Sequence, residues 1–198
     1  MILVGLTGGI GSGKTTIAGI FKIFNIPVFN TDIVAKQLMA TDELVHKQII
    51  DAFGEDAYLH NNELNKTYLS NQVFNSEKQL QTLNNIVHPV VRNYFEQWIT
   101  RQNSRYIICE SAILIESGFF RRFDKIICVI ADEIVRISRV MKREQVDEKT
   151  VRERMANQIT DEERLKYADY VIYNNDNDMV VEQILEIDKK LWENSQNG

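Results

Sequence analysis

The chain has 198 residues, 44% of them apolar, enough to bury one substantial core with a small inserted subdomain. Its 23 basic and 28 acidic side chains leave a formal charge of −5, which argues against wide nucleic-acid or membrane-surface binding, so any anion site has to be local. Cys109 and Cys128 lie in the apolar runs YIICE and KIICVIA, suggest no disulfide framework and make a reducing, cytoplasmic setting the default.

The opening MILVGLTGG has no basic leader and reads as a strand rather than a signal peptide. No apolar run approaches the roughly 20 residues that a bilayer span needs. Five short, β-branched runs, at 2–6, 26–30, 105–109, 125–130 and 170–174, suit the strands of a parallel sheet covered on both faces. Between the first two, Ile17, Ile20, Phe21 and Phe24 recur at helical spacing, giving a βαβ unit whose strand-to-helix turn is rich in glycine.

Residues 32–104 contain no convincing strand and read as a helical insertion. In ELVHKQIIDAFG the residues Leu44, Val45, Ile49 and Phe53 are expected to face one way, with Gly54 as a C-cap. A further helix is expected after Ser76, broken at Pro89 in HPVV and resumed through Tyr94, Phe95 and Trp98. A charged stretch from Asp132 to Arg164 separates the last two strands, and DMVVEQILEIDKKLW closes the chain as an amphipathic helix.

The turn GLTGGIGSGKTT carries the full G-x-x-x-x-G-K-[ST] pattern at Gly8, Gly13, Lys14 and Thr15. Glycines let successive backbone N–H groups converge on phosphate oxygens while the following helix presents its positive end. Lys14 is expected to reach the β- and γ-phosphates, Thr15 to offer its hydroxyl to Mg²⁺, and Thr16 to meet the α-phosphate side. A glycine turn that only packs a helix on a strand is the alternative. A switch GTPase is disfavoured, because the nearest approach to the guanine signature N-K-x-D is NKTY at Asn65.

Asp32, in FNTDIVAKQ, follows the second strand at the edge where parallel sheets bind ligands. A carboxylate there accepts a hydroxyl proton or caps a helix starting at Ile33, and local sequence leaves both readings open. Arg136, Arg139 and Arg143 fall within about 60° of one another around a helix, opposite Ile134, Ile137 and Met141. They form a phosphate clamp on a lid over 132–165, or a solvated face paired with Asp132, Glu133 and Glu144. Arg152, Arg154 and Arg164 are weaker candidates. Glu110, ending the third strand, holds a metal-bound water or is structural; Asn174 and Asn175 meet an adenine edge or shape a turn. His46, His60 and His88 are assigned no catalytic task.

LTGGIGSGKTT, DIVAKQ, HPVV, LIESG, RVMKRE, ANQ with EERLKYAD, and DYVIYNN, in this order, resemble the dephospho-coenzyme A kinase family from Ile2 to about Asp176. The resemblance implies a P-loop kinase-like α/β fold, three-layered αβα around a five-stranded parallel sheet. It places the core at about 1–31 and 105–198, a helical acceptor-binding insertion at about 32–104 and a small helical lid at about 132–165 of one domain, 1–198. It implies transfer of the γ-phosphate of ATP to the ribose 3′-hydroxyl of dephospho-coenzyme A, with Mg²⁺, in the cytoplasm. Partners are then the two small substrates, with no nucleic acid or membrane, and a monomer or weak homo-oligomer is expected. By motif, Gly11, Ser12, Gly13, Lys14, Thr15 and Thr16 bind ATP, Asp32 is the base, Arg139 and Arg143 belong to the lid, and Arg136 matches less securely. Another small-molecule kinase is the alternative, and a nucleotide-dependent switch a more distant one. Two departures are Asn30, where the family usually has aspartate, and Ala112, where it usually has proline; Asp32 and Glu116 are kept.

Overall fold

The structure is a computed structural model that describes residues 1–74 and 76–194. The last four residues of the expected core range lie outside the described residues. By packing, the chain groups into two units, Met1–Asn30 with the chain from Asn103 onward, and Thr31–Gln102.

The first unit is built on five strands, β1 (Ile2–Gly8), β2 (Val28–Asn30), β3 (Tyr106–Glu110), β4 (Lys125–Ile130) and β5 (Tyr170–Tyr173), in the order β2-β3-β1-β4-β5. Every pairing is parallel, with Val4 opposite Ile108 on one side of β1 and Leu6 opposite Ile127 on the other. Parallel strands need long crossovers, and the helical segments between them supply these, giving a three-layer α/β arrangement. The chain leaves β1 toward β2 on one side and reaches β4 on the other, so the carboxyl end of β1 is the point where the winding reverses. Crevices form at such points.

Helix α1 (Lys14–Ile23) and helix α9 (Val180–Asn194) share a core with the sheet. Ile17, Ala18 and Phe21 from α1, and Ile184, Ile187 and Leu191 from α9, bury against Val4, Leu6, Ile108, Ile127, Val129 and Ile172. Each fully buried aliphatic or aromatic side chain contributes about 1.5–3 kcal/mol. The Tyr106 hydroxyl donates to Asp188 on α9, tying the carboxyl-terminal helix to the start of β3. Among the described residues no helix is long and apolar enough to cross a membrane.

Between β4 and β5 run α6 (Glu133–Glu144), α7 (Glu148–Ala156) and α8 (Asp161–Leu165). They carry a small apolar cluster of their own, Ile137, Val140 and Val151, against which Ile10, Met141, Val146 and Met155 pack. Between the end of β1 and the start of α1, Ile10 carries the one bulky apolar side chain, and the charged excursion receives it.

The second unit consists of α2 (Thr31–Thr41), α3 (Glu43–Phe53), α4 (Lys66–Phe74) and α5 (Glu77–Ile99) around Val45, Ile49, Phe53, Ala57, Tyr58 and Leu69. Asp42 caps α3 by accepting from the N–H groups of Leu44 and Val45, each at 3.0 Å. Leu44 departs from the expected inward face and is 74% exposed. Consecutive helical residues point about 100° apart, and Val45, Ile49 and Phe53, four residues apart, already fill the stripe. The expected break at Pro89 is absent, since α5 runs through it from Glu77 to Ile99. Proline removes one hydrogen bond and crowds the Asn85 carbonyl, at about 3 kcal/mol. Val87, Val91 and Phe95 bury on one stripe astride it, and three such burials offset that cost.

Candidate active site

The glycine turn follows β1 directly and ends in α1, whose first residue is Lys14. Ser12 N–H donates to the Gly9 carbonyl at 3.2 Å, and Ile17 N–H to Gly13 at 3.1 Å, closing the first helical turn. The Lys14 ammonium spans the turn, donating to the carbonyls of Gly8 at 2.6 Å and Gly9 at 3.2 Å. Gly13 sits at φ +91°, and a Cβ built there would lie 2.1 Å from the Asn174 amide nitrogen. That amide donates to the Ser12 carbonyl at 2.7 Å. Both the backbone and the neighbour therefore require glycine.

Thr15, in the first turn of α1, donates its hydroxyl to Glu110 Oε1 at 2.6 Å. Asn30, the last residue of β2, donates its amide to the other oxygen, Oε2, at 2.6 Å. Glu110 is 5% exposed, and two adjoining strand ends plus a helix start hold its carboxylate. The Asn30 departure thus has a local consequence: an amide donates where a second carboxylate would repel Glu110. Among the described residues no group of three or more His, Cys, Asp and Glu side chains is gathered to hold a metal ion. Thr15 and Glu110 are hard oxygen groups beside the loop, a donor set that suits Mg²⁺, which takes one or two protein groups and fills its shell with phosphate and water.

The three arginines of α6 separate. Arg136 is buried, with Nε donating to the Ile10 carbonyl at 3.0 Å and Nη1 to Asp161 at 2.6 Å. Arg139 lies by the loop through Asn174, donating to the Asn174 carbonyl at 2.8 Å and to Asp176 at 3.0 Å. Arg143 is exposed and pairs with Glu144 at 2.5 Å. On their far side Ile137 is buried while Ile134 is 80% exposed.

Asn174 and Asn175 bind the chain itself: Asn174 through Ser12, and Asn175 by accepting from Asp132 N–H at 2.8 Å. Asp32 lies in the first turn of α2, in the helical unit, with its side chain exposed. That helix begins at Thr31, so Asp32 stands inside it rather than capping a helix that starts at Ile33.

Several residues of the arrangement carry no recognisable motif of their own. Gln158 accepts from Ile10 N–H at 2.8 Å across 148 positions of sequence. Arg164 is fully buried, donating to Asp161 at 2.7 Å, to the Ile159 carbonyl at 3.2 Å and more loosely to Glu116 at 3.4 Å. Asp161 thereby accepts from two buried guanidinium groups. The signal available in the sequence was the grouping ANQ with EERLKYAD, which contains Gln158 and Arg164 but neither Asp161 nor any sign of what they face.

A parallel sheet reversing at β1, a phosphate loop at that reversal and a threonine held on a buried strand-end glutamate define a nucleotide-binding P-loop kinase. The fold is shared with a solved protein of Thermus thermophilus, with a TM-score of 0.83 and 27% identity over 98% of this chain and 97% of that one. It is shared also with the dephospho-CoA kinase of Campylobacter jejuni, with a TM-score of 0.69 and 22% identity over 96% of each chain. The model of the dephospho-CoA kinase family matches residues 2–180. The dephospho-CoA kinase of Bacteroides fragilis is 36% identical over 187 residues, covering 94% of this chain and 91% of its own length. The chain belongs to the dephospho-CoA kinase family, and is a transferase of that kind.

Proposed function

We infer that this chain transfers the γ-phosphoryl group of ATP to the ribose 3′-hydroxyl of dephospho-CoA, giving CoA and ADP. The observation that carries the reading is the family match over residues 2–180 on a chain whose phosphate loop adjoins the Thr15–Glu110 pair. In this reading Gly11 to Thr16 hold the phosphates through backbone N–H groups and the start of α1. Lys14 leaves the Gly8 and Gly9 carbonyls for the β- and γ-phosphates. Thr15 would hold Mg²⁺ through its hydroxyl and Glu110 through a water, and the ion when bound would supply positive charge beside the transferring phosphate.

Asp32 accepts the proton of the 3′-hydroxyl as its oxygen bonds to the γ-phosphorus and the bond to the ADP oxygen breaks. Its exposure and its place in a helix's first turn rather than at a cap leave the carboxylate available for this. Arg139 and Arg143 stabilise the equatorial oxygens, with Arg139 better supported because it lies by Asn174 and the loop. The helical unit takes the acceptor, and residues 132–165 act as the lid. The burial of both cysteines, Cys109 and Cys128, inside the sheet supports a reducing, cytoplasmic setting.

The test is release of ADP from ATP in the presence of a panel of acceptors. Dephospho-CoA is expected to drive release while nucleoside monophosphates do not. Release with a nucleoside monophosphate alone would keep the kinase chemistry and overturn the acceptor.

A further inference from the structure

The phosphate loop is costly to order. Glycine loses more conformational freedom on folding than any other residue, and five of the nine glycines lie between Gly5 and Gly13. A loop that binds phosphate through backbone N–H groups works best when those groups are held in place beforehand. The Asn174 amide holds this loop at the Ser12 carbonyl, and the excursion between β4 and β5 holds it at Ile10.

The Ile10 peptide is gripped at both polar atoms. Its N–H donates to Gln158 at 2.8 Å, and its carbonyl accepts from Arg136 Nε at 3.0 Å. Its side chain packs on the cluster of Ile137, Val140 and Val151. Arg136 also fills the space beside the neighbouring glycines: a Cβ built at Gly9 would lie 2.6 Å from its Nη2, and one at Gly11 2.5 Å from its carbonyl oxygen. The guanidinium is a long side chain's end and would swing without a further partner. Asp161 supplies that partner, accepting from Arg136 Nη1 at 2.6 Å through Oδ2 and from the fully buried Arg164 at 2.7 Å through Oδ1.

We propose that Asp161 is a positioning residue for nucleotide binding, which together with Gln158 fixes the Ile10 peptide from the β4–β5 excursion and so preorganises the phosphate loop. Asp161 hydrogen-bonds to Arg136 and Arg164, and it acts on the loop through Arg136. Bridging two buried cations lets a single carboxylate set where both stand, and its own charge offsets that of Arg136. Arg136 on this account is a brace for the loop, whereas Arg139 keeps its place by Asn174. The proposal rests on the reading of the loop as a nucleotide phosphate site.

The test is the dissociation constant of ADP, measured by calorimetry well below the melting temperature, on the full chain. Asp161→Asn is expected to weaken ADP by about 10-fold, the loss of one charge-assisted hydrogen bond, and to raise the KM for ATP while leaving that for dephospho-CoA unchanged. In an Arg136→Ala background the same substitution is expected to weaken ADP no further. Gln158→Ala, which removes a half-buried side chain, is expected to weaken ADP several-fold and carries the test should Asp161→Asn not fold. Wild-type affinity in the folded Asp161→Asn protein, or in Gln158→Ala, overturns the proposal, as does an undiminished effect of Asp161→Asn without Arg136. A wild-type protein that bound no ADP would instead overturn the reading of the loop itself.

Discussion

At the scale of single residues, the site is a set of short polar contacts made by residues far apart in sequence. Lys14 and Thr15 were legible because glycine, lysine and threonine at fixed spacing have a mechanical reason to occur together. Glu110 was legible as an acid at a strand end that holds a metal-bound water or is structural, but not as the partner of Thr15 and Asn30, which arrive from two other elements. The different depths of Arg136 and Arg143 were not legible because a helical wheel gives an angle and not a depth, and the chain buries the first while exposing the second. Asp161 and Gln158 were not legible as parts of the site, because each is ordinary in its own helix or turn and gains its partner only through the fold. For Asp32 the expectation is that Asp32→Asn keeps ATP affinity while kcat falls by about 10²-fold or more, the usual worth of a general base. Steady-state kinetics beside ATP binding check this, and near-normal turnover would remove the carboxylate from the chemistry.

At the scale of elements, β-branched runs marked all five strands, with ends moved by a residue or two, as β3 over Tyr106–Glu110 shows. Helix α4 carried no clear apolar stripe and was not anticipated, its Leu69 being the buried anchor in an otherwise polar segment. Pro89 misled for a physical reason, because local propensity favours a break and three burials on one stripe outweigh it. The same helix carries a titration. Burial, and then the neighbouring Arg92, hold the His88 imidazole below its ordinary value of 6.5. Below about pH 6.5 the unfolded chain takes up a proton that the folded chain resists, so stability present above that pH is lost as pH falls toward the depressed folded value. Melting temperatures from about pH 7.5 to pH 5 are expected to fall more steeply for the wild type than for His88→Gln. Parallel curves would show that His88 titrates alike in both states.

At the scale of the whole molecule, alternating strands and helices implied a parallel sheet, and the order β2-β3-β1-β4-β5 puts the phosphate loop where its winding reverses. That order was beyond the sequence pattern, which shows where strands are and not which lie side by side. The acceptor was legible in another way, through the succession of motifs that resembles one kinase family, and the family match over residues 2–180 agrees with it. Chemistry alone names the donor, since a phosphate loop serves many acceptors. Phosphoryl transfer to the ribose is tested most directly by ³¹P NMR of the product formed from ATP and dephospho-CoA. The expected result is ADP together with a new phosphomonoester on the ribose 3′-oxygen, in equal amounts. ADP with free inorganic phosphate and unchanged dephospho-CoA would contradict it.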